Sequence, residues 1–563
     1  MKCCATVTLI LASAALAPSA YGAGATLERT LGPVGAGPGF RLVERGGEPH
    51  IVRRAPGTLL ASGREATRRS LAYFAHLSDL QMADEASPAR HEHLSHLSRA
   101  FGGFWRPQEA FGPHVVDQAV RAINRQRTSP LASAGGPARL GFALVTGDMA
   151  DNAQVNEVRW AVKALDGGRV DPFSGQRISR TNPCPVSPSI QRRLNRRVGL
   201  RRYAGTPKAR GPLSRWPGAL DRAQEPFVAE GLQVPWYSAR GNHDALAQGH
   251  YGPLTAQPRS IPTGCRKVFE AGPLTPGLRQ NPWGHLRGRL GSGRTVPPDP
   301  RRRFLRSAAE FRRLHGSSDR SHGFAFTRAG ERRRSRGSAL YYGWSPRPGL
   351  RFLALDTTAD AGGPGGNVDH PQYRWLAREL KRAGRKRELI VVYGHHPLET
   401  MGNRNHDELA GRFDRDPRDS RPLHLGRTGP ASVRSLLLRH PNVVLYVAGH
   451  KHYHRIWPNF RRDGHGFWQV ITGTLAGAPQ QSRLLELMEN RNATLSIFTT
   501  MVDHAAPAAL PSPGPGGSIE PAGLAAISRT LAWNRRPVSN GSRATSSPVM
   551  RNGELVLRDP RAR

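Results

Sequence analysis

The sequence contains no internal apolar run that approaches the roughly 20 residues of a membrane-spanning helix. It also lacks internal repeats. These absences exclude a multi-span membrane protein, a collagen and a coiled coil. The P-loop, the G-x-S-x-G nucleophile motif and the dinucleotide-binding glycine fingerprint are missing as well, which removes three common kinds of enzyme site.

Acidic residues are scarce, because 42 Asp and Glu face 82 Lys and Arg and leave a formal net charge of +40. The excess is almost entirely arginine, a usage that often accompanies GC-rich coding. It can equally reflect attraction to polyanions such as phosphorylated substrates, nucleic acid or an anionic cell surface. Runs such as 301–303 and 332–334 lack interleaved aromatic residues, which is typical of solvated loops. Nucleic acid therefore stays open as a partner but is not favoured.

Cysteine is rare, and two of the four cysteines lie near the start of the chain. Residues 1–25 place Lys2 before an apolar stretch and then small residues, a pattern typical of a cleaved signal peptide. The alternative is an uncleaved N-terminal anchor. Cleavage predicts a protein that is secreted or held in the cell envelope, with no membrane span. Its remaining cysteines, Cys184 and Cys265, could form one disulfide, although sequence alone cannot place them together.

Apolar runs that end in polar residues alternate with segments of helical periodicity. At 38% hydrophobic residues, a chain of 563 residues can bury a substantial core. Strands alternating with helices predict an α/β layered fold, with the active site at the carboxyl ends of the strands. The predicted strands lie at 71–79, 140–148, 234–240, 350–356, 388–395 and 442–450, and the predicted helices at 114–126 and 370–383.

Composition divides the chain into segments. Residues 26–70 predict an N-terminal strand segment, and residues 71–503 predict the main domain. Insertions at about 164–225 and 252–337 are rich in Arg, Pro, Gly and Ser and carry both remaining cysteines. Residues 504–563 are rich in Pro, Ala, Gly and Ser, which predicts a low-complexity and largely disordered tail.

Carboxylates, an amide and imidazoles follow the predicted strands. These side chains are the ligands of divalent metals such as Mn, Fe and Zn, and the lack of cysteine argues against a structural zinc knuckle. Each motif alone is a weak signal, since Gly-Asp is usually a turn and His-x-His often lies on a surface. Five of them in order, each closing a strand, predict a metal site. The motifs are Ser78-Asp79-Leu80-Gln81, Gly147-Asp148-Met149-Ala150-Asp151, Gly241-Asn242-His243-Asp244, Gly394-His395-His396 and Gly449-His450-Lys451-His452.

The order Asp…GDxxD…GNHD…GHH…GHxH resembles the calcineurin-like metallophosphoesterase superfamily. The resemblance covers roughly 71–160, 228–250 and 338–503. Residues 78–90 (SDLQMADEASPAR) and 479–487 (PQQSRLLEL) are also similar to a poorly characterised secreted bacterial branch. The resemblance implies central mixed β-sheets flanked by helices, and two divalent metal ions, which could be Mn, Fe, Zn or Mg.

The resemblance also implies a role for individual residues. One carboxylate can bridge two ions, and an acid beside them can stabilise charge or protonate a leaving group. Asp79 and His452 would bind the first metal, Asp148 would bridge both, and Asn242, His395 and His450 would bind the second; His243 would act on the phosphate, Asp244 would orient His243, and Asp151 and His396 would lie outside the ligand sphere.

One position departs from the family pattern. The usual first motif is Asp-x-His, and here the last position is Gln81, which we include among the predicted metal residues. An amide oxygen is a poorer ligand than imidazole for Zn or Fe. Gln81 could bind a weaker or harder first metal such as Mn or Mg, or it could merely hydrogen-bond a water on that metal. A single tightly bound metal is a further alternative.

The function expected from these features is a secreted phosphoesterase that cleaves phosphomonoester or phosphodiester bonds of an anionic substrate with a metal-activated water. The alternative is a non-catalytic polyanion-binding protein on the same fold, which Gln81 favours. The Asn242-His243-Asp244 triplet argues against it, because binding needs no acid beside the metals. The nearby histidines 91, 93 and 96 flank a polar helix start, which predicts surface residues.

Overall fold

The computed structural model describes these parts of the chain: residues 24–34, 41–60, 62–96, 103–175, 184, 216–252, 260–268, 282–316, 321–334, 339–404, 423–512, 519–534 and 547–562. The predicted signal peptide lies outside them except for its last two residues, and most of the first insertion lies outside them as well. Among the described residues, no helix combines the length and the apolar character that crossing a bilayer requires.

The strands of the described residues are, in chain order, β1 (Arg29–Val34), β2 (Arg41–Gly46), β3 (Ile51–Arg54), β4 (Arg69–Leu77), β5 (Phe142–Val145), β6 (Gly168–Val170), β7 (Phe227–Ala229), β8 (Trp236–Ser238), β9 (Arg266–Lys267), β10 (Arg294–Thr295), β11 (Tyr342–Arg347), β12 (Leu350–Ala354), β13 (Leu389–Tyr393), β14 (Val443–Ala448), β15 (Arg455–Phe460), β16 (Gly466–Ile471), β17 (Gln481–Glu489), β18 (Thr494–Asp503) and β19 (Gly553–Arg558).

The α-helices of the described residues are α1 (Arg64–Thr67), α2 (Gly112–Asn124), α3 (Val155–Asp166), α4 (Ala219–Ala223), α5 (Pro282–Arg289), α6 (Ala308–Leu314), α7 (Ala329–Arg334), α8 (His370–Arg385), α9 (Val433–Leu438) and α10 (Pro521–Asn534).

Two mixed sheets form the centre of the fold. The seven-stranded sheet has the order β3-β19-β18-β17-β4-β5-β8, and the six-stranded sheet has the order β11-β12-β13-β14-β16-β15. The strands β4, β5 and β8 are parallel neighbours in the first sheet, as are β12, β13 and β14 in the second. Mixed sheets flanked by helices confirm the predicted α/β layered fold.

Aromatic side chains join the two sheets. The rings of Phe74 in β4 and Phe142 in β5 stack with their centroids 4.9 Å apart. Phe352 in β12 of the other sheet meets them edge-on, at 5.5 and 5.2 Å. Helices α2 and α3 cover the first sheet, and α8 and α9 cover the second. The central strands are buried on both faces, which explains their continuous apolar runs.

The prediction of a largely disordered tail at 504–563 is wrong for the described part of that segment. Strand β19 lies inside the seven-stranded sheet, antiparallel to β18 and parallel to β3. Helix α10 buries Leu524, Ile527 and Leu531 in one hydrophobic cluster with Phe111. Average composition concealed the helical spacing of these apolar residues and the short apolar run of β19, which are the signals that specify an element.

Removing the last strand should destabilise the whole protein. The backbone carbonyls of Met550 and Arg551, which lie just before β19, accept hydrogen bonds from the buried Arg483 guanidinium. Ending the chain at residue 546 would leave that charge poorly satisfied and would open the edge of β18. We expect the midpoint of thermal unfolding to fall by roughly 10 °C or more, measured by circular dichroism. Arg558→Ala, an exposed position in the same strand, is the control, and equal midpoints for truncated and full chains would contradict the expectation.

A disulfide links the two predicted insertions. Cys184 and Cys265 are bonded, with their Cα atoms 6.1 Å apart, and they stand 81 positions apart in sequence. The open question of whether these cysteines come together is therefore answered by the fold. A cross-link of this span restricts the unfolded chain strongly.

Loss of the disulfide should lower stability. For Cys184→Ala with Cys265→Ala, we expect the free energy of unfolding to fall by about 2–5 kcal/mol. Denaturant titration followed by tryptophan fluorescence measures this difference. The oxidised wild type serves as the reference, and its reduction by dithiothreitol should reproduce the change. An unaltered denaturation curve in both cases would contradict the expected stabilisation.

Candidate metal centre

The five motifs meet where parallel strands of the two sheets end. Asp79 follows β4, Asp148 follows β5 and Asn242 follows β8 in the first sheet. His395 and His450 follow β13 and β14 in the second sheet. Neighbouring parallel strands end at the same edge of a sheet, so these side chains converge. The sequence-predicted residues therefore form one centre between the two sheets.

The turns that carry these side chains have an unusual backbone. Non-glycine residues adopt left-handed φ values rarely, at a cost of order 1–3 kcal/mol each, and such residues cluster at functional sites. Five of the predicted metal residues do so: Asp79 (φ 53°), Gln81 (42°), Asp148 (53°), His450 (68°) and His452 (56°).

Asp79 presents one carboxylate oxygen to the centre. Its Oδ2 accepts hydrogen bonds from the Ser78 hydroxyl at 2.6 Å and from the backbone N–H of His450 at 2.9 Å. Its Oδ1 lies 3.2 Å from Nε2 of His452. Burial alone would raise the pKa of Asp79, but its hydrogen bond with His452 helps to lower the pKa below its ordinary value. The carboxylate is therefore ionised and held in one orientation.

Asp148 and His395 face each other across the two sheets. Asp148 Oδ1 accepts from the backbone N–H of His243 at 2.8 Å, and its Oδ2 lies 3.2 Å from His395 Nε2. His395 Nδ1 donates to the Thr146 carbonyl at 2.7 Å, so Nε2 carries the lone pair of the neutral ring. Burial would lower the pKa of His395, but the Asp148 carboxylate raises it to about 9. Without metal, a proton therefore lies between the two groups.

Asn242 and His450 complete the same side of the centre. Asn242 Nδ2 donates to the Gly249 carbonyl at 3.0 Å, which turns its Oδ1 toward His450 Nδ1 at 3.1 Å. That nitrogen lies 3.3 Å from His395 Nε2. Burial, and then the charge of His396, lowers the pKa of His450 well below its ordinary value. The imidazole is neutral, which is the form that binds metals.

His243 lies at the accessible side of the centre. Its Nδ1 donates to the Asp151 carbonyl at 2.7 Å, and its Nε2 lies 4.0 Å from Asp148 Oδ2. The side chains of His243 and His452 are 15% and 36% exposed, whereas Asp148 is 1% exposed. A ligand would therefore approach the centre past these two imidazoles.

The prediction that Asp244 orients His243 is wrong. Asp244 Oδ1 accepts from the backbone N–H groups of Met149 and Ala150, both at 2.9 Å, and Oδ2 accepts from Gly241 N at 2.9 Å. Asp244 thus ties the second and third motif loops together. The ring of His243 is oriented by the carbonyl of Asp151 instead, because the third motif forms a tight turn that directs the Asp244 carboxylate toward the backbone.

His396 has no nitrogen left for a metal. Its Nδ1 accepts from the Thr357 hydroxyl at 2.8 Å, and its Nε2 donates to the Pro364 carbonyl at 3.1 Å. Burial lowers the pKa of His396 to about 3. The structure thus places this ring against the centre, 4.4 Å from the ring of His450, but with both nitrogens engaged.

Gln81 also reaches the centre, and its amide nitrogen is the side-chain atom that faces the other residues. Its Nε2 lies 3.4 Å from Asp148 Oδ2 and 3.3 Å from His452 Nε2. Its Oε1 accepts from Arg106 Nη1 at 2.5 Å. The buried Arg106 also donates to Asp151 Oδ1 at 2.9 Å. Nothing in the sequence around Arg106 marks it, so this contact was missed.

The residues present fit divalent ions. One carboxylate oxygen of Asp79, one of Asp148 and a ring nitrogen of His395 lie within 4.8 Å of one another, and all three residues are buried. Buried carboxylates that face imidazole nitrogens need positive charge between them, which a proton supplies without metal and a divalent ion could supply in its place. Oxygen and imidazole nitrogen are the donors that Mn, Fe and Zn accept.

Glycines allow the loops to approach this closely. Gly147 has φ +88°, and a Cβ there would lie 2.5 Å from the Gly241 nitrogen. A Cβ on Gly449 would lie 2.5 Å from Asp79 Oδ2 and would also collide with the Ser78 hydroxyl. The predicted sharp turn before Asp148 is therefore present, and the glycine before His450 leaves space for Asp79.

The prediction that the nearby histidines lie on the surface is wrong for His91 and His93, which are both fully buried. The side chain of His96 lies outside the described residues. Lys267, in the second insertion, forms an ion pair with Glu92 at 2.9 Å. The insertion thus covers this segment, a contact that local sequence cannot reveal.

Comparison with known proteins finds a family match over part of the chain. Residues 208–454 match the model of the family described as calcineurin-like phosphoesterase. The matched range contains the last three motifs, and the fold brings Asp79 and Asp148 to the same centre. The crystal structure of a dimetal phosphatase from Danio rerio aligns with 77% of this chain and 96% of its own length, at 13% identity and a TM-score of 0.32. No curated protein matches the chain.

The superfamily that the five motifs resemble is thereby confirmed, while the narrower secreted bacterial branch stays a prediction. Residues 208–454 match a calcineurin-like phosphoesterase domain, which supports a hydrolase that acts on phosphoric ester bonds.

Proposed function

We propose that this metallophosphoesterase cleaves a phosphomonoester or phosphodiester bond of an anionic substrate, with a water activated by two divalent metal ions. The observation that carries the proposal is the convergence of the strand-end motifs, in which Asp148 Oδ2 lies 3.2 Å from His395 Nε2 and Asp79 Oδ1 lies 3.2 Å from His452 Nε2. Each contact is a pair of groups that a cation would join.

The residues divide into two sets around Asp148. When bound, divalent ions supply Lewis acidity, which polarises a phosphoryl oxygen and makes water more acidic. One ion would be held by Asp79, Asp148 and His452, and the other by Asp148, Asn242, His395 and His450.

His243 is the residue of this chain best placed to move a proton. Its Nδ1 is occupied by the Asp151 carbonyl, so that Nε2 is the atom that faces the centre. A protonated Nε2 would donate to the oxygen of the leaving group or to a phosphoryl oxygen. The partial exposure of this ring allows it to touch a bound ester.

We also propose that the protein is exported. The signal-like pattern of residues 1–25 supports export. The disulfide between Cys184 and Cys265 supports an oxidising compartment, because such bonds are rare in the cytosol. Expression of the full chain in a bacterial host, followed by fractionation and N-terminal sequencing, should yield a shortened chain outside the cytoplasm. Full-length protein in the cytoplasm would contradict export.

Hydrolysis assays test the proposed activity. Metal-free protein would be given chromogenic phosphomonoesters and phosphodiesters, with Mn²⁺, Fe²⁺, Zn²⁺ or Mg²⁺ added back. We expect turnover that depends on the added ion, and the ratio of monoester to diester rates assigns the substrate class. A well-folded protein that turns over neither ester with any ion, yet binds polyanions in a salt-sensitive way, would favour the polyanion-binding alternative.

A further inference from the structure

We infer that Gln81 is not a metal ligand, and that Arg106 holds its carboxamide with the NH₂ group toward the centre, which makes one of the two metal positions weak. The inference rests on the proposed two-metal centre. It concerns the position formed by Asp79, Asp148 and His452.

Arg106 determines which end of the Gln81 carboxamide faces the metals. A guanidinium has only donors, so the Gln81 atom that lies 2.5 Å from Arg106 Nη1 must be the oxygen. The amide nitrogen is then the atom beside Asp148 Oδ2 and His452 Nε2. An NH₂ group carries partial positive charge and has no lone pair to give a cation.

Rotation of the carboxamide is opposed by the surroundings of Arg106. Its Nη2 donates to Asp151 at 2.9 Å, and its Nε donates to Glu109 at 3.3 Å. Turning Gln81 over would set its NH₂ group against Nη1 and would leave a buried, charged N–H without its acceptor. Arg90 anchors the same carboxylates, with hydrogen bonds of 2.6 Å to Asp151 and 2.5 Å to Glu109, so Arg106 cannot shift easily.

Asn242 provides the internal comparison. It carries the same functional group, but its Nδ2 donates to the Gly249 carbonyl, so its oxygen faces the centre. A carbonyl neighbour therefore turns one carboxamide oxygen inward, while a guanidinium neighbour turns the other outward. One metal position would have four protein ligands including Asn242, and the other would have three, with the NH₂ group of Gln81 beside it.

Metal-binding measurements on matched variants test this inference. Isothermal titration calorimetry with Mn²⁺ measures the two affinities, and electron paramagnetic resonance detects the exchange-coupled ion pair. We expect wild type to bind the second ion at least about tenfold more weakly than the first. Gln81→Ala should leave that second affinity unchanged or stronger. Asn242→Ala, which removes a true carboxamide ligand, should weaken one ion by about tenfold or more.

A second variant tests the same inference without removing the side chain. Gln81→Glu is isosteric, retains an acceptor for Arg106 and directs its other oxygen to the centre, so the second ion should bind about tenfold more tightly. Three results would each overturn the inference. Wild type could bind both ions with equal affinity, Gln81→Ala could lose the second ion, or Gln81→Glu could show no gain in affinity for the second ion. A wild type that binds no divalent ion would instead refute the proposed two-metal function.

Discussion

Replacing Asp148 by asparagine should abolish metal-dependent ester hydrolysis. The Oδ2 of Asp148 lies 3.2 Å from His395 Nε2, and in the proposed centre Asp148 would belong to both sets of ligands. Asparagine keeps an acceptor for the backbone N–H of His243 but places an NH₂ group or a neutral oxygen where the carboxylate would join both ions. Loss of several kcal/mol of charge stabilisation corresponds to a fall in kcat/KM on the order of 10³-fold.

The same variant should lose metal affinity, which calorimetry with Mn²⁺ measures alongside the kinetics. Asp117→Asn is the matched control, because Asp117 is also a buried carboxylate, but it lies in α2 and accepts from Arg121 and the backbone of Glu230. It should retain wild-type kcat/KM. An Asp148→Asn protein that still hydrolyses esters at the wild-type rate would contradict the two-metal proposal.

Replacing His243 by glutamine should separate catalysis from metal binding. The ring presents Nε2 to the centre while Nδ1 is held by the Asp151 carbonyl at 2.7 Å. Glutamine retains polarity there but cannot supply a proton at neutral pH. Loss of general acid catalysis lowers kcat by roughly 10²–10⁴-fold. The affinity for Mn²⁺ should stay at the wild-type value, because His243 is not among the ligands.

An ester with a better leaving group provides a further check on His243. Such a substrate needs less protonation, so the defect of His243→Gln should shrink as the leaving group becomes more acidic. His114→Gln is the matched control, since His114 is a buried imidazole in the first turn of α2 that donates to the Ala223 carbonyl. A defect of equal size for all leaving groups would show that His243 stabilises charge without donating a proton.

Much of this centre could be predicted because its residues are local features of strand ends. Parallel strands buried on both faces give continuous apolar runs, and their carboxyl ends lie at one edge of a sheet. The convergence of Asp79, Asp148, Asn242, His395 and His450 therefore follows from five short motifs. The mixed α/β layering followed from the same alternation of strands and helices.

Composition was a poor guide where a few residues specify an element. The tail from residue 504 is rich in Pro, Gly, Ala and Ser, yet it contributes α10 and β19. Three apolar residues with helical spacing and the apolar run within GELVLR outweigh the average of the segment. Strand β19 also gains stability from its two sheet neighbours, and a single-sequence reading does not contain those pairings.

Sequence by itself determined the strands that the motifs follow, the ligand types and the order of the motifs, because each depends on residues close together along the chain. Tertiary structure decided which atom of each side chain faces the centre. Asp151 rather than Asp244 orients His243, and Arg106 turns the Gln81 carboxamide. These contacts join residues 25 and 92 positions apart in sequence. The direction of a hydrogen bond depends on the partner that folding supplies, so no local pattern could reveal it.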